Sequence, residues 1–496
     1  METISSIKPL GAVLVSLIAA MLILVTGDRH RNLRETWTLL AAVIKFSLVF
    51  SLVGPVLEGR SVETTLLTLV PGLKLQLRVD AFGLVFGLLA SGLWVLTSIY
   101  SVGYMRSLQE HAQTRYFFCF ALALSATMGI AFSANLLTLY IFYEILTLST
   151  WPLVAHKETP EALAAGRKYL VYTLTSSTLI LFSAAAIFVQ TGTLDFTPGG
   201  FLAGRVAEGM LPLLFALLLF GFGVKAAIMP IHEWLPSAMI APTPVSALLH
   251  AVAVVKAGVF GCLRVILYVF GPALLIQKGL WFPFALLVSF TILAAGMIAL
   301  GEDNLKRRLA FSTINSLSII ILGALLRSKS GITGGILHLA NHGFLKITLF
   351  FCAGAIYVKT HKELVSQLDG IGKQMPLTMA AFTIGAMGLA GIPPINGFIS
   401  KWYLCLGALE AHEMIFLVVF LLSALLDVAF LFPIVYNAFF KDARGKPPHF
   451  DEAPRAMLVP LMITALVSVI LGIYPDAFLR FFSLAAMAVQ NILGGG

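Results

Sequence analysis

In the segment GILHLANHGFLKITLF, His338, His342 and Lys346 fall at positions i, i+4 and i+8. Each four-residue step turns an α-helix by about 400°, so the three share one face and span about 12 Å along the axis. Imidazoles stacked with an amine in an apolar helix can pass protons along a hydrated path; the alternative is a polar stripe that glues helices together through hydrogen bonds. Two histidines and a lysine in register are costly glue, which favours the path. Five more basic residues stand inside apolar runs: Lys45, Lys225, Lys256, Arg264 and Lys401. The acids there are Glu144 and Asp427, with Asp80 at the edge of a run. An ionisable group at mid-bilayer costs several kcal/mol, so each is a functional candidate facing the protein interior. Glu144 is the expected partner of Lys225. Paired, the lysine holds its proton; with Glu144 drawn away, it is pushed to release it onward, and the pair titrates as a unit. Arg264, near a helix end, is expected to snorkel, and Asp80 to cap a helix start. Lys45 matches no motif and its role stays open.

The elements that position these groups follow from composition. Of 496 residues, 59% are hydrophobic and 11% charged, against about 45–50% and 25% in soluble domains. A soluble enzyme, a nucleic-acid binder and a disordered chain are excluded, and an integral membrane protein is expected. Cys119, Cys262, Cys352 and Cys405 lie in apolar runs without metal-ligand spacing. With no CxxC, haem-attachment motif or glycine-rich nucleotide fingerprint, the chain is expected to hold no cofactor, no metal and no redox or catalytic centre of its own. By the span-length rule there are about fourteen runs, near 8–26, 37–57, 80–103, 115–132, 134–155, 168–190, 210–229, 243–270, 280–300, 305–326, 332–358, 376–408, 414–440 and 456–475. The first run has Arg29, Arg31 and Arg34 after it and is expected to be an uncleaved helix with its N-terminus outside.

Loops after odd-numbered runs carry those three arginines, Arg106, Arg115, Lys157, Arg167, Lys168, Lys306, Arg307, Arg308, Lys359, Lys362, Lys373, Lys441, Arg444, Lys446 and Arg455. The other side carries half as many. The bias places odd loops in the cytoplasm and both termini outside. Lys225 sits in GFGVKAAIMPIHEWLP and Lys401 follows GIPPINGFIS, each beside a glycine/proline interruption, in the seventh and twelfth runs. Both occupy the fourth place of a five-run unit, counting from run 4 and from run 9. Corresponding broken helices point to inverted repeats with a site at the membrane midplane. The expected fold is therefore all-α and integral to the membrane, with two inverted five-helix repeats (runs 4–8 and 9–13) and breaks in runs 7 and 12. The expected organisation is 1–110 (runs 1–3), 111–270 (first repeat), 271–440 (second repeat) and 441–496 (run 14 and tail).

The segment GFGVKAAIMPIHEWLPSAMIAPTPVSALLHAVAVVKAG, with YEILTLSTWPLV, HLANHGFLK and GIPPINGFISKWY in that order, resembles the antiporter-like proton-pumping subunits. That family is shared by respiratory complex I, Mrp-type multisubunit cation/proton antiporters and membrane-bound hydrogenases, and the resemblance covers roughly residues 75–440. It implies that Glu144 is the family's span-five glutamate and Lys225 its lysine partner. Lys256 takes the place of the central lysine of span eight, with His250 linking to it. His338, His342 and Lys346 correspond to the connecting path, and Lys401 to the residue leading to the exit side. Asp427, in SALLDVAFLFPIVY, resembles the antiporter and hydrogenase branches; it is either a participant or a packing hydrogen bond. APTPVSALLHA resembles the largest subunits of the family, whereas GKQMPLTM and the short tail resemble the Mrp D-type subunit.

Two functions are therefore in view. In the first, the chain moves protons along a mid-membrane Glu/Lys/His path as a subunit of a cation/proton antiporter, with sodium as the candidate counter-ion. In the second, the same path serves a complex I-like oxidoreductase or hydrogenase driven by redox chemistry elsewhere. A free-standing solute transporter is disfavoured, because the charges line several successive spans instead of one pocket. Other membrane subunits and the lipid of a cell inner membrane are the expected partners.

Overall fold

The computed structural model describes residues 2–442 and 449–494; Arg444 and Lys446 of the loop-charge count lie outside them. Among the described residues, thirteen helices are long and apolar enough to cross a membrane. They are span 1 (Lys8–Thr26), span 2 (Arg31–Leu57), span 3 (Ala81–Ser107), span 4 (Gln113–Ala131), span 5 (Leu136–Val154), span 6 (Pro160–Thr191), span 7 (Glu208–Lys225), span 8 (Thr243–Phe270), span 9 (Trp281–Gly301), span 10 (Leu305–Leu325), span 11 (Lys329–Thr360), span 13 (Met414–Phe440) and span 14 (Arg455–Ile473). The run expected at 376–408 is span 12, a broken pair of helices, Pro376–Ala390 and Asn396–Glu410. A short helix, Phe481–Leu493, follows span 14.

Span starts are set by side chains that accept from otherwise unpaired backbone N–H groups. Asp80 accepts from Gly83 N at 2.7 Å, Asn135 from Thr138 N at 2.8 Å, Asn304 from Arg307 N at 3.1 Å and Ser328 from Gly331 N at 3.1 Å. Spans 8, 10 and 11 are buried along their length, whereas spans 1, 2, 6, 13 and 14 turn much of their apolar surface outward. His250 and Lys256 on span 8 and His338, His342 and Lys346 on span 11 are accordingly fully buried.

Connections alternate between two faces. After even-numbered spans, Ala134 N donates to Gln76 O, Leu136 N to Leu194 O, and Thr197 N to Tyr268 O. After odd-numbered spans, Arg115 pairs with Glu158, Lys168 with Glu233, Asn304 bridges Leu364, and Lys359 pairs with Asp451. Two features depart from the sequence reading. The loop after span 2 is no plain connector: β2 (Arg60–Val70) and β3 (Leu73–Val79) form an antiparallel hairpin, and β1 (Glu2–Ser5) adds in parallel to β2. Span 8 is also interrupted, as spans 7 and 12 are. Val252 and Ala253 leave helical geometry (ψ −54° and −81° at φ −123° and −107°), and residues Val265–Phe270 close with a π-helical turn.

Candidate proton path

Span 7 ends at Lys225, and residues 226–233 run as turns before the short helix Trp234–Ser237. A cation at the last residue of a helix faces the negative end of the helix dipole. Backbone freed by the break finds partners: Trp234 Nε1 donates to Val224 O at 2.6 Å, and Met229 N to Thr291 Oγ1 at 3.2 Å. That is the condition for irregular backbone at membrane depth. Lys225 Nζ donates to Tyr143 O at 2.8 Å and lies 3.4 Å from the centre of the Tyr143 ring. Glu144, the next residue along span 5, makes no ion pair with Lys225 within 4 Å among the described residues. It acts on Lys225 through space and lies within reach of Ser177, and its Oε1 is buried without a hydrogen-bond partner. The two groups are thus neighbours but not in contact.

Span 8 crosses directly behind Lys225. A Cβ on Gly258 would sit 2.3 Å from Ala226 N and 2.6 Å from Lys225 C, so only glycine allows this approach. On the same span, Lys256 is fully buried and its Nζ lies 2.9 Å from His342 Nδ1 of span 11. His250, just before the break in span 8, lies tilted against Phe350 with ring centres 4.7 Å apart and, among the described residues, makes no hydrogen bond through either ring nitrogen; Lys346 and Lys306 are its charged neighbours.

The three groups of span 11 reach three different neighbours. His342 meets Lys256 of span 8, and its ring centre is 5.9 Å from that of His338. His338 Nδ1 is 2.9 Å from Ser400 Oγ of span 12, and Lys346 donates to Ser312 Oγ at 2.6 Å and Leu309 O at 3.1 Å on span 10. Span 12 breaks at Gly391–Ile395, and Lys401, in its second half, reaches back to donate to Leu389 O at the end of the first. Gly391, at φ +81°, leaves room for this: a Cβ there would lie 2.9 Å from Lys401 Cδ. Lys401 also pairs with Asp427 of span 13 at 2.6 Å, the carboxylate being 1% exposed. The two breaks differ, since Lys225 ends the first half of its span while Lys401 belongs to the second half.

Sequence reasoning missed Ser312, Ser400 and Tyr143, which supply oxygens to Lys346, His338 and Lys225. The run STINSLS in span 10, polar within an apolar helix, was the available signal for Ser312. Arg264 corrects the expectation that it snorkels. It is 1% exposed and holds Asp80 with two hydrogen bonds, at 2.6 and 2.9 Å, while Asp80 also caps span 3 as expected. Lys45 is fully buried away from these groups, donating to Ser16 Oγ and to Leu124 O at 3.0 Å, with its Nζ 4.7 Å from the Trp94 ring.

On the odd-loop face, a polar cavity of about 390 Å³ is lined by Lys157, Glu233, Ser237, Asn304, Lys306 and Glu363. Lys306 closes its floor by donating to Ala241 O at 2.7 Å, next to the start of span 8.

Residues 133–427 match the family model described as NADH:quinone oxidoreductase/Mrp antiporter, TM. The chain is 31% identical over 420 residues to NADH-quinone oxidoreductase subunit N of Desulforudis audaxviator, covering 79% of this chain and 82% of that protein. It is 31% identical over 496 residues to Na(+)/H(+) antiporter subunit A1 of Staphylococcus haemolyticus, covering 94% of this chain but only 60% of the relative. Among solved structures, a chain of the Mrp complex from Dietzia superposes with a TM-score of 0.86 at 23% identity, over 98% of this chain and 97% of that one.

Proposed function

The chain belongs to the NADH:quinone oxidoreductase/Mrp antiporter transmembrane family, and on that footing we propose that it is a proton-translocating subunit of a multisubunit membrane complex, working in cation/proton antiport. The observation that carries this reading is the contact between Lys256 and His342, which joins span 8 to span 11. Through it, charged groups on spans 5, 7 and 8 connect with those on spans 11, 12 and 13. The path runs from Glu144 and Lys225, past Gly258, to Lys256, His342 and His338, then by Ser400 to Lys401 and Asp427. Glu144, His250, His338, His342 and Asp427 each keep a buried polar atom free of protein partners. Unpaired buried groups cost about 1–3 kcal/mol each, a cost that mobile water offsets while conducting protons. Protons enter from the polar cavity above Lys306 toward His250 and leave beyond Lys401. The units 111–270 and 271–440 act as inverted repeats, each carrying one of the lysine-bearing breaks. The GKQMPLTM stretch favours the Mrp D-type subunit, and sodium is the proposed counter-ion.

Glu144→Ala, Lys225→Ala and Lys401→Ala should each abolish pH-gradient formation in everted vesicles while the complex still assembles. Wild-type gradients from all three would overturn the reading. The kinship with a quinone oxidoreductase subunit supports a second reading, in which the same path is driven by redox chemistry in other subunits. Co-purifying subunits separate the two: small antiporter subunits for the first, iron–sulfur or quinone-site subunits for the second.

A further inference from the structure

On the odd-loop face, beside the polar cavity, the loops after spans 3 and 5 meet. Glu110, His111 and His156 each present one ligand atom there, all within 4.8 Å of one another. The two imidazole rings are 4.9 Å apart, centre to centre. His156 is fully buried, and among the described residues neither of its ring nitrogens has a hydrogen-bond partner of good geometry. A buried imidazole with both nitrogens idle is unusual, because buried polar groups are nearly always paired. Arg115, the nearest cation, is occupied by Glu158 and by His156 O at 3.0 Å. Glu110 is mostly buried, with its carboxylate 4.0 Å from His111 Nδ1.

We infer that Glu110, His111 and His156 form a binding site for a divalent transition-metal ion of the zinc class, which ties the loop after span 3 to the loop after span 5. Two imidazoles and a carboxylate are a ligand set suited to Zn²⁺ or Co²⁺, with a fourth position open to water or Glu158. Tetrahedral coordination at about 2.0–2.1 Å sets ligand atoms about 3.4 Å apart, so the site must close by little more than an ångström. His111, with 48% of its side chain exposed, is free to make that movement. The site escaped the sequence reading because its ligands are split between positions 110–111 and 156, with no motif spacing.

The test is a titration of the purified full chain, with whatever subunits accompany it in nanodiscs, using Co²⁺ followed by its visible absorption and then Zn²⁺ in competition. One Co²⁺ per chain with four-coordinate absorption, displaced by Zn²⁺, is expected. His111→Ala and Glu110→Gln should weaken binding at least about tenfold, since even outer-shell partners of a metal are worth that much. His412→Ala, an exposed histidine elsewhere, should leave it unchanged. His156→Gln should abolish binding, and if it fails to fold the two loop variants still decide. Absence of Co²⁺ binding by the wild type, or equal binding by His111→Ala and Glu110→Gln, would overturn the assignment. The readout is metal occupancy and is independent of the transport reading.

Discussion

Lys401 and Asp427 form an ion pair at 2.6 Å, whereas Lys256 has only the imidazole of His342 at 2.9 Å and Lys346 only oxygens of span 10. Charge is therefore neutralised by contact at the span 12–13 end of the proposed path and not in its middle, which suits a route that passes protons on instead of storing them. Breaking one side of a buried pair costs about 3–5 kcal/mol, while replacing both by apolar groups is nearly neutral. Asp427→Asn should thus lower the thermal midpoint and stop gradient formation. The double variant Lys401→Met/Asp427→Leu should regain stability but not the gradient. Recovery of the gradient in the double variant would make the pair structural. Arg264→Leu, which strands Asp80, should destabilise by a similar amount, measured as the shift in thermal or detergent unfolding of the purified complex. Which charges lay in the membrane was legible in the sequence, because a lysine among leucines needs no partner to be noticed. Their partners were not, since Asp80 and Arg264 are 184 residues apart and nothing in either segment names the other.

Span 8 shows what a helix can conceal from a sequence reading. Spans 7 and 12 advertise their breaks with Gly221, Gly223 and Pro230, and with Gly391, Pro393 and Pro394. The break at Val252 and Ala253 falls in HAVAVVKAG, where every local preference permits helix or strand. Tertiary packing decides it: a glycine at 258 lets span 8 press on Lys225, and the helix yields a few residues earlier. The hairpin of β2 and β3 was hidden for a related reason, since its alternation lay in a stretch read as a connection between two membrane runs. Gly258→Val tests the packing argument. Its side chain must push against Ala226 N and the Lys225 carbonyl carbon, 2.3 and 2.6 Å from an ideal Cβ. The expected outcome is loss of gradient formation with a lowered thermal midpoint, although no ionisable group has changed. Gly301→Ala, where nothing lies within 4 Å of the added carbon, should behave as wild type.

At the scale of the molecule, the apolar runs alone were enough to count and order the spans, because a bilayer demands about 20 apolar residues per crossing whatever the side chains do inside. The folded chain adds which connections share a face. Hydrogen bonds and ion pairs join even loops to even loops and odd to odd, so orientation reduces to one binary choice for all loops together. By sequence the odd loops carry the larger share of the basic residues, and the positive-inside rule expects that side in the cytoplasm. Thr197, exposed in the loop after span 6, and Glu161, exposed at the start of span 6 on the opposite face, are suitable reporters. Of the native cysteines, Cys119, Cys262 and Cys352 are buried and Cys405 half-buried, so a background with Cys405 replaced by serine should label weakly. In that background, a membrane-impermeant maleimide should label Thr197→Cys in intact cells and Glu161→Cys only in everted vesicles. Labelling of both from the same side would break the alternation of faces itself. The exact reverse pattern would keep the fold and place the cavity above Lys306 on the outer side, inverting the proposed direction of proton entry.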